Sequence, residues 1–352
     1  MPTKIEWTQG DDGVAGETWN VVRGCSRVSP GCGGARGEGG CYAERQAIRQ
    51  SGPGGAYEGL VRVGKQGPRW TGKVILVPDK LLEPLTWRKP RRCFVNSMSD
   101  LFHEALTNEQ IAAVFGVMAA ATAHTFQILT KRGKRMREWF QWVEATATAS
   151  GTTPAKVCVE QACRSFGGET QDPIADRIMA AAVGQTLHHL GDVASWPLPN
   201  VWMGVSAENE DYAEERIPEL LSIPAAVRFV SYEPALGPII FWAFLKSAER
   251  DAFSGVVLPP MLSSKPGLDW IIIGGESGPG SRPFNVEWAR SVVQECEEAK
   301  VACFVKQLGR RPETADGRPM LLVSRKGNDM EEWPEDLRVR QWPRQRQAEA
   351  AS

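Results

Sequence analysis

Three cysteines, Cys25, Cys32 and Cys41, stand within 17 residues near the N-terminus. The segment that carries them, Gly24-Cys-Ser-Arg-Val-Ser-Pro-Gly-Cys32 followed by GGARGEGG and Cys41, is rich in Gly, Ser and Pro. Glycines permit the tight backbone turns that converging ligands need, so such a loop can fold its thiolates round a soft metal. A closed structural zinc site takes four ligands. None of the four histidines, His103, His124, His188 and His189, is near in sequence. A [4Fe–4S] cluster held by three thiolates leaves one iron open to an outside ligand, which suits a cluster that does chemistry. The count of three therefore points to a catalytic iron–sulfur centre. A zinc knuckle completed by a distant Cys or His is the alternative. The remaining cysteines, Cys93, Cys158, Cys163, Cys296 and Cys303, read mostly as core residues; a second metal site at Cys158 and Cys163 is the weaker option.

The elements that must position this loop are legible as short apolar runs. They are Thr18–Arg23, Val74–Val77, Cys93–Asn96, Phe126–Leu129, Val201–Val205, Val227–Ser231, Trp270–Ile273 and Cys303–Lys306. Most are continuous rather than alternating, as parallel strands buried on both faces should be. Helical patterns lie between them at Asn108–Ala123, capped by Thr107, at Asp211–Leu221, and at Val286–Ala299, entered through Asn285. Strands alternating with helices predict an α/β fold, a partial or complete parallel (βα) barrel; an open doubly wound sheet is the alternative. The cysteine loop then follows the first strand and precedes a helix starting near Tyr42. That places it at the C-terminal face of the barrel, where active sites sit.

Residues 1–310 are expected to form the barrel domain. A stretch without strands at about 145–198 reads as an insertion, partly helical around Ile174–Leu190, and 311–352 as an irregular C-terminal extension that frays at its end. The chain has 352 residues and a formal net charge of −1, so any nucleic-acid binding must come from local patches. No apolar run is long enough for a membrane span and no apolar signal segment opens the chain, so a reducing cytoplasm is expected, with thiols rather than disulfides.

Several further segments accompany the cysteines. They include Trp19-Asn20, Cys41-Tyr-Ala-Glu44, Phe94-Val-Asn-Ser-Met-Ser-Asp-Leu-Phe-His103, Leu129-Thr-Lys-Arg132, Trp202-Met-Gly-Val-Ser206, Arg228-Phe-Val-Ser-Tyr-Glu-Pro234, Ile273-Gly-Gly-Glu-Ser-Gly-Pro-Gly280, Phe304-Val-Lys-Gln307 and Glu332-Trp-Pro-Glu-Asp-Leu-Arg338. Together they resemble the phage Gp37/Gp68-type three-cysteine family, related to radical SAM enzymes, over most of the chain except residues 145–198. The resemblance implies a barrel of radical SAM type. It implies that Cys25, Cys32 and Cys41 hold a [4Fe–4S] cluster and that S-adenosylmethionine chelates the open iron. Reductive cleavage would give methionine and a 5′-deoxyadenosyl radical, with a flavodoxin or ferredoxin supplying the electron. The phage association implies host cytoplasm and a nucleotide or DNA substrate. One possibility is the rearrangement of an amino-acid-modified thymidine in hypermodified DNA, an isomerase reaction that protects phage DNA from restriction. Repair of a DNA photoproduct by a lyase, or a non-catalytic zinc or iron–sulfur protein that binds nucleic acid, are the alternatives. The sequence departs from the family in one place: eight residues separate Cys32 from Cys41 where two are usual, leaving Gly40 before the last cysteine.

The strand ends supply the expected cofactor shell: Tyr42 after the third cysteine, then Ser97, Ser99 and Asp100, then Ser206, then Glu233, then the glycine-rich turn Gly274, Gly275 and Glu276. Asp100 could instead be a helix N-cap. Lys131, Arg132 and Lys306, at the ends of two further strands, are candidates for substrate. The basic run Lys131–Arg137 is the first choice for phosphate contacts, whereas Arg88–Arg92 precedes a strand and lies at the opposite face. Trp70, Trp87, Trp139 and Trp142 could stack on bases, or more simply fill the core.

Overall fold

The computed structural model describes residues 3, 5–10, 13–34, 39–166, 195–245 and 266–343. Seven strands form one sheet: β1 (Glu17–Trp19), β2 (Arg92–Val95), β3 (Thr125–Thr130), β4 (Val201–Ser206), β5 (Val227–Tyr232), β6 (Trp270–Gly274) and β7 (Ala302–Gln307). All six pairings are parallel and follow chain order. A doubly wound sheet reverses its order at a switch point; this one never does. It curls into a half-barrel with β1 and β7 as its outer strands, so the partial barrel is the form adopted.

Side-chain alternation divides the sheet into two faces. Ile271 and Ile273 of β6, with Val230, Tyr232, Cys303 and Val305 of its neighbours, pack into the large core under the helices. The intervening residues Trp270, Ile272, Phe229, Trp202 and Phe304 face the other way and form a separate cluster around Trp7. Trp7 thereby plugs the concave side, its ring 4.8 Å from Phe94 and 6.2 Å from Trp270. Gly204 belongs to this packing: a Cβ there would lie 2.5 Å from the Phe229 ring.

The crossover helices are α2 (Asn108–Ala120), α3 (Gly133–Ala149), α5 (Glu210–Leu221) and α6 (Val286–Ala299). Thr107 opens α2 through a reciprocal capping box with Gln110. Asn209 and Asn285 cap α5 and α6 through their side chains. The short α1 (Tyr42–Ala47) starts directly after Cys41.

The run Thr18–Arg23 does not form one strand. After β1 the chain leaves the sheet, because the Val22 N–H is taken by the Asn96 side chain. Val22–Arg23 then pairs antiparallel with Ile75–Leu76. The Val74–Val77 run is therefore no barrel strand but half of this small ribbon. The stretch from 145 begins inside α3 and continues as α4 (Pro154–Phe166). This helix lies close on α2, where Gly116 makes room: a Cβ would meet the Cys158 carbonyl at 2.2 Å. The expected helix around Ile174–Leu190 lies outside the described residues.

Beyond β7 the chain turns back along the sheet edge. Val305 N–H donates to the Val339 carbonyl and Gln341 N–H to the Cys303 carbonyl, each at 2.8 Å. Trp333 and Leu337 enter the large core, and Trp342 Nε1 donates to the Trp7 carbonyl at 3.2 Å. The expected frayed end at RQRQAEAAS lies, from residue 344, outside the described residues. Among the described residues no helix is long and apolar enough to cross a membrane.

Candidate functional site

The cysteine loop lies across the C-terminal mouth of the half-barrel. Gly24 starts it at φ +86°, close enough to the Lys73 carbonyl that a Cβ would stand 2.0 Å away. Pro30–Cys32 forms one 3-10 turn, and Cys41 is the N-cap residue of α1. All three cysteines are half-buried residues with free thiols. They sense one another: burial, Asp100, Cys41 and Cys32 push the Cys25 thiol up to about 12, against the lowering effect of Arg132. Burial likewise raises Cys41, and the charge of Cys32 adds to it. Among the described residues no three His, Cys, Asp or Glu side chains form a group that could hold a metal ion.

Strand-end residues dock this loop. Arg132, 6% exposed, spends its guanidinium on four partners. Nε meets Glu104 at 2.9 and 3.1 Å, Nη1 meets Asp100 at 3.0 Å and reaches the Cys25 sulfur at 3.9 Å, and Nη2 donates to Ser26 Oγ and its carbonyl. Asp100 also accepts from Thr130 Oγ1 at 2.7 Å and the Lys131 N–H at 3.2 Å. It organises the exit from β3 rather than capping a helix, since Thr107 caps α2. His103 is buried, and its Nε2 lies 2.9 Å from Ser26 Oγ.

On the other side of the mouth, Ser29 of the loop donates to Glu208, and Gly31 packs so tightly there that a Cβ would meet Glu208 Oε1 at 2.1 Å. Buried Arg216 pairs with Glu208 at 3.1 Å and donates to the Ser206 carbonyl at 2.7 Å. Lys131 reaches across from β3 to donate to Ser206 Oγ, and its Nζ lies 3.7 Å from Glu208. Ser206 Oγ in turn donates to the Glu233 carbonyl at 3.1 Å. Lys306 meets both Glu233 oxygens, at 2.7 and 2.8 Å, and Gln307 Nε2 donates to the same carboxylate at 3.3 Å.

The β6 turn completes the rim. Gly274 makes room for Glu233, 3.2 Å from where a Cβ would lie, and Gly275 for the Leu308 carbonyl. Glu276 pairs with Arg282, whose Nη1 donates to the Pro30 carbonyl at 2.9 Å. Gly39 donates its N–H to the Gly280 carbonyl at 2.7 Å and packs against Glu276. Gly39 thus sets the residues just before Cys41 beside the β6 turn.

The structure therefore gathers Cys25, Cys32, Cys41, Asp100, Lys131, Arg132, Ser206, Glu233, Gly274, Gly275, Glu276 and Lys306 around one opening. Ser97 and Ser99 are engaged locally: Ser97 donates to Asn20 and Ser99 to the Val22 carbonyl, tying β2 to the chain after β1. Tyr42 is 61% exposed. The basic run after Lys131 is largely engaged. Arg135 binds Asn108 and the Leu106 carbonyl, Arg137 pairs with Glu219, and Lys134 stays in solvent. Trp70 and Trp139 are buried, and Trp87 and Trp142 pack against the large core. Sequence reading overlooked Arg216, Arg282 and the Arg27–Glu44 pair. A signal existed for two of them. Arg216 sits on the stripe Ala213, Ile217, Leu220, and Glu44 lies between buried Ala43 and Ala47, so each is a charge on an otherwise apolar helix face.

The fold and the site define a parallel α/β half-barrel with a three-thiol loop over the C-terminal ends of its strands. The chain belongs to the family described as a protein of unknown function, DUF5131, whose family model matches residues 2–344. No curated protein matches, and no solved structure matches.

Proposed function

We propose that this protein is a radical S-adenosylmethionine enzyme that modifies or rearranges a nucleobase. The observation that carries the reading is the gathering of three free thiols on one loop over the mouth of a parallel half-barrel. An all-thiolate donor set suits an iron–sulfur cluster. A cluster also spreads its thiolates over separate irons, so it asks for a wider triangle than a single ion does. Cys25, Cys32 and Cys41 would hold the cluster. With S-adenosylmethionine on its open iron, it would supply the electron that cleaves the sulfonium and yields a radical able to take hydrogen from substrate.

The chain's own side chains fit the rest of that task. Lys131 and Lys306 bring cations to the mouth, and Glu208 and Glu233 bring carboxylates. A ligand with both an ammonium and a carboxylate, such as the amino-acid end of S-adenosylmethionine, can exchange partners with such pairs without leaving a charge unmatched. Ser206 stands between the two groups as a neutral donor and acceptor. Asp100 and Arg132 fix the Cys25 side of the loop; Glu208 and Arg282 fix the Cys32 side. The nucleobase half of the proposal rests on the family resemblance of the sequence. Rearrangement of an amino-acid-modified thymidine is its leading form.

The test is an anaerobic assay with dithionite and S-adenosylmethionine on wild type beside Cys32→Ala. Wild type should form 5′-deoxyadenosine and the variant should not. Purified protein that carries zinc and forms none sinks the reading. It would favour the non-catalytic zinc protein instead. Mass spectrometry of nucleosides before and after incubation separates rearrangement from repair.

A further inference from the structure

The strands Val61–Gly64 and Gly67–Trp70 form a two-stranded antiparallel arm beside the cysteine loop. Val61 and Trp70 pack its inner side, with Ala43, Ala47 and Tyr57, onto the small cluster that Cys25 and Cys41 also touch. Its charge is one-sided. Between Gly59 and Pro78 stand Arg62, Lys65, Arg69 and Lys73 and no Asp or Glu, in a chain whose formal net charge is −1.

Arg62 and Arg69 are direct cross-strand partners. Like charges placed opposite each other destabilise a ribbon. Arg69 comes within 3.9 Å of Glu44, but that carboxylate is already held by Arg27. Among the described residues neither Arg62 nor Lys65 is ion-paired, and both are exposed. Lys65 sits at the turn of the arm, and Val63 beside it is 75% exposed. A small cleft of about 60 Å³, lined by Cys41, Arg45, Gln66, Pro68 and Arg69 among others, joins the arm to the third cysteine.

We infer that this arm docks the phosphate backbone of a polynucleotide and leads it to the mouth. The inference deepens the substrate half of the reading above and rests on it for that half alone. A run of cations with no acid among them matches a uniform line of negative charge. An acidic protein surface interleaves both signs and asks for a mixed partner. A two-stranded ribbon is also a shape that the major groove of a duplex admits. The anion relieves the Arg62–Arg69 repulsion, which the protein alone leaves standing.

The experiment is fluorescence anisotropy with the full chain and a labelled duplex of about 20 base pairs, and its single strand, across a salt series. It contains no reductant and no S-adenosylmethionine, so the presence or absence of radical chemistry does not bear on it. The double variant R62E/K65E should weaken binding on the order of tenfold, and the salt slope should fall by about 2. The milder R62Q/K65Q should weaken it in the same direction, which guards against a folding defect in the first. R88E/K89E, in the basic run at the opposite face, should bind like wild type. Unchanged affinity in both arm variants overturns the inference, as does equal loss in R88E/K89E or no binding by wild type. Retained nucleic-acid binding, with weaker binding of a labelled flavodoxin in a parallel anisotropy titration, also overturns it and would assign the arm to an acidic protein partner.

Discussion

The Glu44 carboxylate is buried, and it joins Arg27 of the cysteine loop to the Trp70 N–H of the basic arm. Glu44→Ala leaves both donors without that partner. The expected loss is about 2 kcal/mol, less than for a fully buried pair because Arg27 keeps some contact with water. Chemical denaturation measures it, and an unchanged midpoint contradicts the assignment. Arg132 stands beside one of the proposed cluster ligands. Its Nη1 stands 3.9 Å from the Cys25 sulfur while Asp100 and Glu104 fix it. Removing that donor and its charge in Arg132→Gln should lower the midpoint potential of a bound cluster, since hydrogen bonds and positive charge near thiolate ligands favour the reduced state. An EPR-monitored redox titration reads this directly; a potential equal to that of wild type contradicts the role. The three cysteines were legible in the sequence because a rare residue type recurred in a loop of glycines. The Asp100–Arg132 pair was not, since 32 residues and a sheet crossing separate its members. The same distance problem hid the fate of the Lys131–Arg137 run, which read as phosphate-binding but spends Arg132, Arg135 and Arg137 on acids and carbonyls of its own fold.

At the scale of elements, the strands of the half-barrel depend on small residues where aromatic rings cross them. Gly204→Ala would push a methyl to within 2.5 Å of the Phe229 ring, inside a cluster that Trp7 and Trp270 already fill. Overpacking of this kind costs about 1–3 kcal/mol. A thermal or urea midpoint should show it, whereas a wild-type midpoint would mean the ring relaxes freely. Strands β2 to β7 were legible because each is a continuous apolar run, the pattern of a strand covered on both faces. Two helices were legible from their polar caps, Thr107 and Asn285, and a third from its pattern alone, its cap Asn209 emerging only in the structure. The division of Thr18–Arg23 was hidden, because it turns on a side chain 74 residues away, Asn96, taking the Val22 N–H. No local pattern carries that information.

Over the whole molecule, an open half-barrel leaves its last strand exposed unless something covers it, and a bare edge invites pairing with another chain. The segment from Trp333 to Trp342 is that cover here. Truncation after Asn328 should therefore yield aggregates on size-exclusion chromatography; a monodisperse product would contradict this role. Composition and charge could not reveal the cover, since its Pro- and Arg-rich sequence resembles a loose tail. The proposed chemistry belongs to the mouth of the half-barrel. Seven parallel strands converge their C-terminal ends beneath one loop, and the central claim is that its three thiols hold a [4Fe–4S] cluster with an open iron. EPR of the reduced, anaerobically purified protein, recorded before and after addition of S-adenosylmethionine, tests that claim most directly. The expected result is an iron–sulfur signal that changes on addition and is lost in Cys32→Ala. A protein with no such signal after reconstitution with iron and sulfide, or a signal indifferent to S-adenosylmethionine, would contradict it.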